Sequence, residues 1–389
     1  MKKLEDIVSL SKRRGFIFQG SEIYGGMAGT WDYGPLGLAL KRKIMQAWWD
    51  YWVEKRDNMF GVDAAIIMNP KTWVASGHAT TFSDPLVECK DCHNRFRADK
   101  LGQDIPANVT SKQLSDRGIK CPNCGKINWD EVKQFNMMFQ THVGATANQD
   151  DIAYLRPETA QGIFTNYKNV VDTIYPDLPF GLAQQGKAFR NEIAPRDFVF
   201  RSREFEQMEI EYFIDPVNWE AEFEKWRQLG HAWCEALGLP AEKVHELEVP
   251  ETDRAHYSKR TIDFEFDYPI GREEMFGLAY RTDFDLGNIQ SASGKSMEYT
   301  VKGTNNKFVP HVIEPSFGVE RTLMAVLSSA YREDEQNGEK RVYLALPEHL
   351  APVRFCVSPL LKNKPELVEK AREVYRALKA KYGAVMWDD

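Results

Sequence analysis

No stretch of this 389-residue chain approaches the roughly 18 consecutive apolar residues of a membrane-spanning helix, so no membrane partner is expected. The opening, MKKLEDIVSLSKRRGF, sets lysine, arginine and acids among apolar residues at helical spacing. It lacks the apolar centre of a secretion signal and is expected to form a first helix. An excess of positive charge is missing too: 50 Lys+Arg against 57 Asp+Glu leave a formal net charge of −7. That balance excludes a protein that coats nucleic acid nonspecifically, yet leaves room for a local basic groove. There is no GxxxxGK[ST] loop and no GxGxxG after a strand, which excludes a P-loop and a Rossmann site. Internal repeats and low-complexity tracts are absent as well. Cysteine is scarce. Of six, four form two CxxC pairs, CKDC (Cys89, Cys92) and CPNC (Cys121, Cys124), with 28 residues between the pairs. That usage suits a reducing, cytoplasmic setting and a metal better than a disulfide framework. The sequon at Asn108 then carries no meaning.

The chain is long enough for two or three domains with a sizeable core. GPLGLALKRKIMQAWWDYWVEKRDN predicts a long helix with Leu36, Leu40, Ile44, Ala47 and Tyr51 on one stripe. MFGVDAAIIMNP predicts a strand ending at Pro70. Residues 86–133 are polar, carry both CxxC pairs and interrupt the apolar rhythm, so an inserted module is expected between segments 1–85 and 134–345. DDIAYLRPETAQGIFTNYKNVV reads as strand, turn at Pro157 and helix. FGLAQQGKAFRNEI and REFEQMEIEYFI read as strands, and PVNWEAEFEKWRQLGHAWCEALG as a helix with Trp219, Phe223, Trp226 and Leu229 inward. Short strands follow at RTIDFEFDYPI, EEMFGLAYRTDFDL and SMEYTVKG; FVPHVIEPSFGVERTLMAVLSSAY is a strand breaking into a helix at Gly318. Over 346–389 the style changes to a β–α–β pattern, the start of a further α/β domain. A piece of that size buries little apolar surface by itself.

One segment stands out. FRNEIAPRDFVFRSREFEQMEIEY holds four arginines and six acids across two predicted strands and their loop. Charge alone would make this a solvated hairpin with cross-strand ion pairs. Arginines fixed on strands also suit phosphate, because a guanidinium fork binds its oxygens bidentately. Period-2 alternation puts Phe205, Gln207 and Glu209 on one strand face, and three carboxylates brought together would repel unless a cation joins them.

FRNEI followed by FRSREF resembles motif 2 of the class II aminoacyl-tRNA synthetases, and EPSFGVERTLMAVL resembles their motif 3. The long helix, the strand and Pro70 fit the looser motif 1. RRGFIFQGSEIYGGMAGTWDYGPLG, RPETAQGIF, FRNEIAPR and RTDFDL narrow the resemblance to the homodimeric glycyl-tRNA synthetases, over essentially the whole chain. The resemblance implies an α+β fold. A class II antiparallel β-sheet flanked by helices would carry a zinc-ribbon-like insertion and an incomplete C-terminal α/β anticodon-binding domain. It implies ATP, glycine and tRNA(Gly) as partners, and Mg²⁺ with ATP.

Residue by residue, the resemblance gives catalytic roles to Arg190, Arg321 and Glu274. Arg190 would hold the α-phosphate and the reacting carboxylate, with Arg201 and Arg203 on the outer phosphates. Phe205 would stack on one face of adenine and Arg321 on the other, with Glu192 near the adenine amino group and Glu274 on Mg²⁺. Asn191, Phe200, Ser202, Glu204, Met275, Gly318, Val319 and Glu320 complete the implied ATP set. For glycine it implies the acids Glu158, Glu209 and Glu314 with Ser316, oriented by Arg281, with Arg97 brought from the insertion. The runs Phe205, Glu206, Gln207, Met208, Glu209 and Glu314, Pro315, Ser316, Phe317, Gly318 frame that pocket. The four-cysteine pattern points to structural Zn²⁺, closed to catalysis. The alternative is a non-enzymatic class II-like accessory subunit that binds nucleic acid. Such proteins usually lose the ATP arginines and pocket acids, which are all present here.

Overall fold

A computed structural model of the chain describes residues 3–144 and 151–389. Met1 and Lys2, which open the first predicted helix, and Asp150, the first residue of the DDIAYL run, lie outside that range. The centre is a seven-stranded sheet built from β1 (Met59–Gly61), β2 (Phe180–Phe189), β3 (Glu204–Ile214), β4 (Val244–Glu248), β5 (Arg260–Tyr268), β6 (Gly271–Thr282) and β7 (His311–Gly318). Its strand order is β4-β5-β6-β7-β3-β2-β1; every pair is antiparallel except β1 with β2. Six helices accompany it: α1 (Leu4–Arg13), α2 (Pro35–Trp49), α3 (Ala160–Ile174), α4 (Trp219–Ala236), α5 (Phe284–Ser293) and α6 (Val319–Ala330).

Alternation divides the two faces of this sheet. Met208, Ile210, Tyr212, Ile313 and Phe317 point to one side and pack with Trp48, Trp52, Trp226 and Trp233 of α2, its extension and α4. Phe317 is the hub there: its ring lies 4.6 Å from Phe276, 5.7 Å from Trp52 and 6.0 Å from Trp48. The opposite side carries Phe213, Val312 and Leu182 under α3 and α5. These two helices cover only the far end of that face and leave a cleft at the other.

The long helix continues past Trp49 as a π turn, Asp50–Glu54, which turns Trp52 onto Trp226 in a stack at 5.1 Å. Its deepest positions are Leu40, Ile44, Trp48 and Trp52, all 0% exposed. Ala47 and Tyr51 of the predicted stripe lie only half-buried beside them. Two other expectations differ. The strand before Pro70 stops at Gly61, and Pro70 opens a short helix, Pro70–Ala75, whose first turn is capped by the Asn69 side chain. An Asn N-cap followed by Pro at the first helical position is a helix start, not a strand end. The DFDL of RTDFDL leaves the strand at Thr282 and begins α5. Val244–Glu248 and the hairpin Tyr331–Gln336 with Glu339–Leu344 are strands that apolar patterning did not reveal, because their side chains alternate little.

A separate three-stranded sheet, Ser83–Glu88, Arg95–Arg97 and Lys133–Asn136, carries both CxxC pairs around its own small core of Val87, Leu114 and Trp129. At the C-terminal end Phe355–Val357 and Val385–Trp387 pair in parallel across the helix Pro365–Tyr382, which has no buried residue.

The first turn of α2 meets the chain ahead of it closely. A Cβ on Gly37 would lie 1.8 Å from the Phe16 carbonyl oxygen, and backbone cannot yield as a flexible side chain does. Gly37→Ala is therefore expected to lower stability by about 1–3 kcal/mol or more, read as a lower urea midpoint at unchanged slope.

Candidate active site

The uncovered end of the sheet forms a cleft of about 430 Å³. Its lining includes Arg97, Glu158, Arg190, Glu192, Phe200, Arg201, Ser202, Phe205, Gln207, Glu209, Glu274, Met275, Glu314, Ser316, Gly318, Glu320 and Arg321. Two central strands bring six of these together. On β3 and β7 the register sets Gln207 opposite Gly318 and Glu209 opposite Ser316, so their common face runs from Phe205 to Glu209 along one strand and from Gly318 to Glu314 along the other.

The phosphate-binding candidates lie at the mouth. Arg190 donates to the Pro157 carbonyl at 3.1 Å and lies over the rings of Phe205 (5.3 Å) and Phe82 (5.4 Å). Arg201 pairs with Glu192 at 3.5 Å. Arg321 lies over Phe200 at 4.6 Å and pairs with Glu274 at 2.9 Å. Burial alone would raise the Glu274 carboxyl; Arg321, with Arg190 and Arg201, outweighs it and holds the group below its ordinary range. Asp263 on the neighbouring strand forms no ion pair among the described residues; burial, then Glu274 and Glu265, push it up to about 7 against a weaker pull from Arg321. Glu320 accepts from the Glu206 N–H at 2.9 Å and from the Tyr33 hydroxyl at 3.1 Å, which ties β3 to α6 and to the N-terminal segment; burial raises it to about 7.

Deeper in, Glu209 accepts from Ser316 Oγ at 2.6 Å and from Thr159 Oγ1 at 2.5 Å. Glu314 accepts from Arg281 at 2.7 Å, and Asp285 binds the same guanidinium through both oxygens at 2.7 and 2.8 Å. Arg281 is 1% exposed and stacks over Tyr257 at 3.6 Å. Glu158 meets His78 Nε2 at 3.2 Å, and His78 Nδ1 meets Ser76 Oγ at 2.8 Å. Burial raises Glu158, but His78, Arg281 and Arg190 together hold it well below the usual carboxylate range. Glu209 is raised by burial and then by Glu158, and burial raises Glu314 far more, against the pull of Arg281. The floor is therefore short of positive charge.

Several expected residues do not present side chains here. Met208, Phe317 and Val319 belong to the core, and alternation sends Glu206 and Pro315 to that same side; Glu206 pairs there with Lys41 at 2.9 Å. Arg203 spends its guanidinium on the carbonyls of Glu192 and Ala28, and Glu204 pairs with Lys187. The Asn191 N–H donates to the Met137 carbonyl. Arg97 does reach the cleft, braced by Asp84 at 2.8 Å and Asp99 at 2.7 Å. Sequence reasoning passed over His78, Thr159, Gln161, Tyr257, Asp263 and Asp285. Gln161 lies inside RPETAQGIF and bridges Glu158 to Asp285, so the string that carried the resemblance held the signal.

In the inserted sheet the four cysteine sulfurs lie within 4.8 Å of one another, with Cys89 to Cys124 and Cys92 to Cys121 at 3.6 Å. A tetrahedron with arms of about 2.3 Å has edges of about 3.8 Å, so this thiol set fits zinc.

Residues 139–330 match the model of the tRNA synthetase class II core domain (G, H, P, S and T). The fold is also similar to Giardia lamblia prolyl-tRNA synthetase in complex with prolyl-adenylate, at a TM-score of 0.68 and 14% identity over 100% of this chain and 65% of that one. Sheet, motifs and cleft thus define a class II aminoacyl-tRNA synthetase. The chain is 45% identical to the glycine–tRNA ligase of Caldanaerobacter subterraneus subsp. tengcongensis over 98% of its own length and 85% of that protein. It is 46% identical to that of Lachnospira eligens (100% and 87%) and 44% identical to that of Deinococcus radiodurans (99% and 86%). The chain belongs to the glycine–tRNA ligase family.

Arg281 is the buried cation on which the floor depends. Arg281→Met would leave Asp285 and Glu314 unpaired and is expected to cost about 3–5 kcal/mol in urea unfolding. Adding Asp285→Asn and Glu314→Gln is expected to recover most of that loss.

Proposed function

We propose that the cleft binds ATP and glycine side by side, forms glycyl-adenylate with release of pyrophosphate, and passes the glycyl group to the 3′ end of tRNA(Gly). The observation that carries this reading is the shared face of β3 and β7. Phe205 and Gly318 stand near Arg321 and the mouth arginines, while Glu209, Ser316 and Glu314 stand further along the same face. A ligand lying there meets groups suited to adenine and phosphate at one end and to an ammonium at the other. Membership of the family supports the same reading and sets aside the non-enzymatic alternative.

In this scheme the glycine carboxylate oxygen attacks the α-phosphorus, the bond to the bridging oxygen of pyrophosphate breaks, and negative charge builds on the phosphates. Positioning and charge stabilisation then suffice without a protein nucleophile. Arg190 holds the α-phosphate and the carboxylate, Arg201 the outer phosphates, and Phe205 and Arg321 sandwich adenine with Glu192 at its amino group. Glu158, Glu209 and Glu314 receive the ammonium, with Ser316 fixing Glu209. The terminal ribose hydroxyl of tRNA then attacks the glycyl carbonyl, and AMP leaves. Glu274, with Asp263 on the adjoining strand, would hold Mg²⁺, which supplies charge neutralisation between the phosphates. Cys89, Cys92, Cys121 and Cys124 would hold structural Zn²⁺.

The reading extends to a homodimer acting in the cytoplasm. Residues 1–85 and 134–345 form the catalytic domain around the 86–133 module, and 346–389 belong to an anticodon-binding domain. The chemistry of the charged side chains, the pairing of four cysteines as two CxxC knuckles and the family support these assignments. No helix among the described residues is long and apolar enough to cross a membrane.

ATP–pyrophosphate exchange run with glycine, alanine and serine tests the reading: exchange is expected with glycine alone, and none with glycine would overturn it. Arg190→Ala is expected to lower the exchange rate by about 10²–10³-fold. Metal analysis is expected to find one zinc per chain, lost in Cys121→Ser, whose module is then open to proteolysis; a metal-free wild type with an intact module would refute the zinc assignment.

A further inference from the structure

Beneath the glycine floor lies one acid that the mechanism does not use. Glu211 is 0% exposed, and neither carboxylate oxygen has a hydrogen-bond partner among the described residues. It follows Glu209 by two residues on β3, so both side chains rise from the same face. On one side its cross-strand neighbour is Leu182, which offers nothing polar. On the other side the register, Glu209 with Ser316 and Tyr212 with Ile313, sets Glu211 directly opposite Glu314. Like charges directly opposite on adjacent strands repel.

Carboxylate oxygens of Glu209, Glu211 and Glu314 all lie within 4.8 Å of one another. The groups facing them are Arg281 from β6, Asp285 from α5, Arg156 and Glu158 ahead of α3, and the Tyr257 phenol. Arg281 is already committed to Asp285 through two bonds and to Glu314 through one. His78 is committed to Glu158. Arg156, the other buried guanidinium near the triad, is spent on the carbonyls of Lys187 and Ala64. Among the described residues no cation pairs with Glu211, and Arg281 reaches it only at longer range. A buried carboxylate in that position stays ionised only when a cation comes within reach, and otherwise keeps its proton. Burial and then Glu314 accordingly drive Glu211 far above the usual carboxylate range.

We propose that Glu211 is a positioning residue of the amino-acid subsite: protonated while the pocket is empty, it gives up that proton when the substrate ammonium settles on Glu209 and Glu314 above it. The proton passes to solvent, the triad gains one negative charge, and the ammonium supplies the matching positive one. The floor then favours a group that carries full positive charge over a neutral one of the same size. The sign follows. At low pH the ammonium must displace a proton; as pH rises the triad ionises in advance, so the KM for glycine falls with increasing pH. The macroscopic titration belongs to Glu209, Glu211 and Glu314 together. This inference rests on the proposed glycine reading of the cleft.

Two measurements test it. Calorimetric titration of the wild-type protein with glycine, beside a non-hydrolysable ATP analogue, is run in buffers of different ionisation enthalpy. It is expected to show close to one proton released per glycine at about pH 7; no release overturns the proposal without any variant having to fold. Glu211→Gln is then assayed by pyrophosphate exchange between about pH 6 and about pH 8. Its glycine KM is expected to be about tenfold above wild type at the upper end and nearly independent of pH, with the KM for ATP unchanged. A variant with the wild-type glycine KM and pH slope overturns the role of Glu211, as does one whose KM values for glycine and ATP rise in parallel. If the wild-type chain shows no glycine-dependent exchange, the functional reading itself fails, which distinguishes the two.

Discussion

Five carboxylates, those of Glu158, Glu209, Glu211, Asp285 and Glu314, meet at the base of the cleft, and the buried guanidinium of Arg281 ties two of them, Asp285 and Glu314, together. Their mutual repulsion at low dielectric would otherwise open the sheet or protonate the whole group. Arg281 reaches Asp285 on α5 and Glu314 on β7 at once, so the same fork that neutralises the floor also pins a helix onto the sheet. Gln161 extends the connection from Asp285 to Glu158 at the head of α3. The pocket's charge deficit and its rigidity therefore have one source.

That arrangement depends in turn on strand register. Along EPSFG, Glu314, Ser316 and Gly318 face the cleft while Pro315 and Phe317 face away, and Phe317 is gripped by Phe276, Trp48 and Trp52. A slip of one residue would bury Ser316 among tryptophans and expose Phe317 to ligand. The aromatic core thus fixes which residues can touch the substrate, although no core residue does so.

Much of this was legible beforehand because the signals were local. The break from strand to helix at Gly318 follows from a β run meeting an amphipathic one, and the facing of Phe205, Gln207 and Glu209 follows from alternation alone. The motif strings located the cleft because their arginines and acids fall at spacings that a sheet converts into one surface. What escaped depends on distant partners. His78 matters only because Glu158 lies 3.2 Å away across the fold, and Asp285 only because Arg281 reaches it. Arg203 carries the same charge as Arg201 in the sequence, yet Ala28 and Glu192 carbonyls occupy its guanidinium, a relation set by a loop about 175 residues earlier. The start of α5 at DFDL was missed because strand and helix propensities are close in that run and tertiary packing decides.

The acidic net charge of −7 stands against two anionic substrates, and the mouth of the cleft resolves it locally. Three arginines of the cleft rest against acids, Arg201 on Glu192, Arg321 on Glu274, and Arg97 on Asp84 and Asp99, while Arg190 is held by the Pro157 carbonyl. Paired in this way the guanidiniums stay ordered and keep their planes fixed in the empty cleft, where bare arginines would repel one another and swing into solvent. On the proposed reading a phosphate exchanges one anionic partner for another, so little reorganisation opposes binding. Within the motif 2 segment the pairing of Arg201 with Glu192 is the local form of this device: the acid fixes the plane of the guanidinium and keeps an excess of positive charge from building at the mouth.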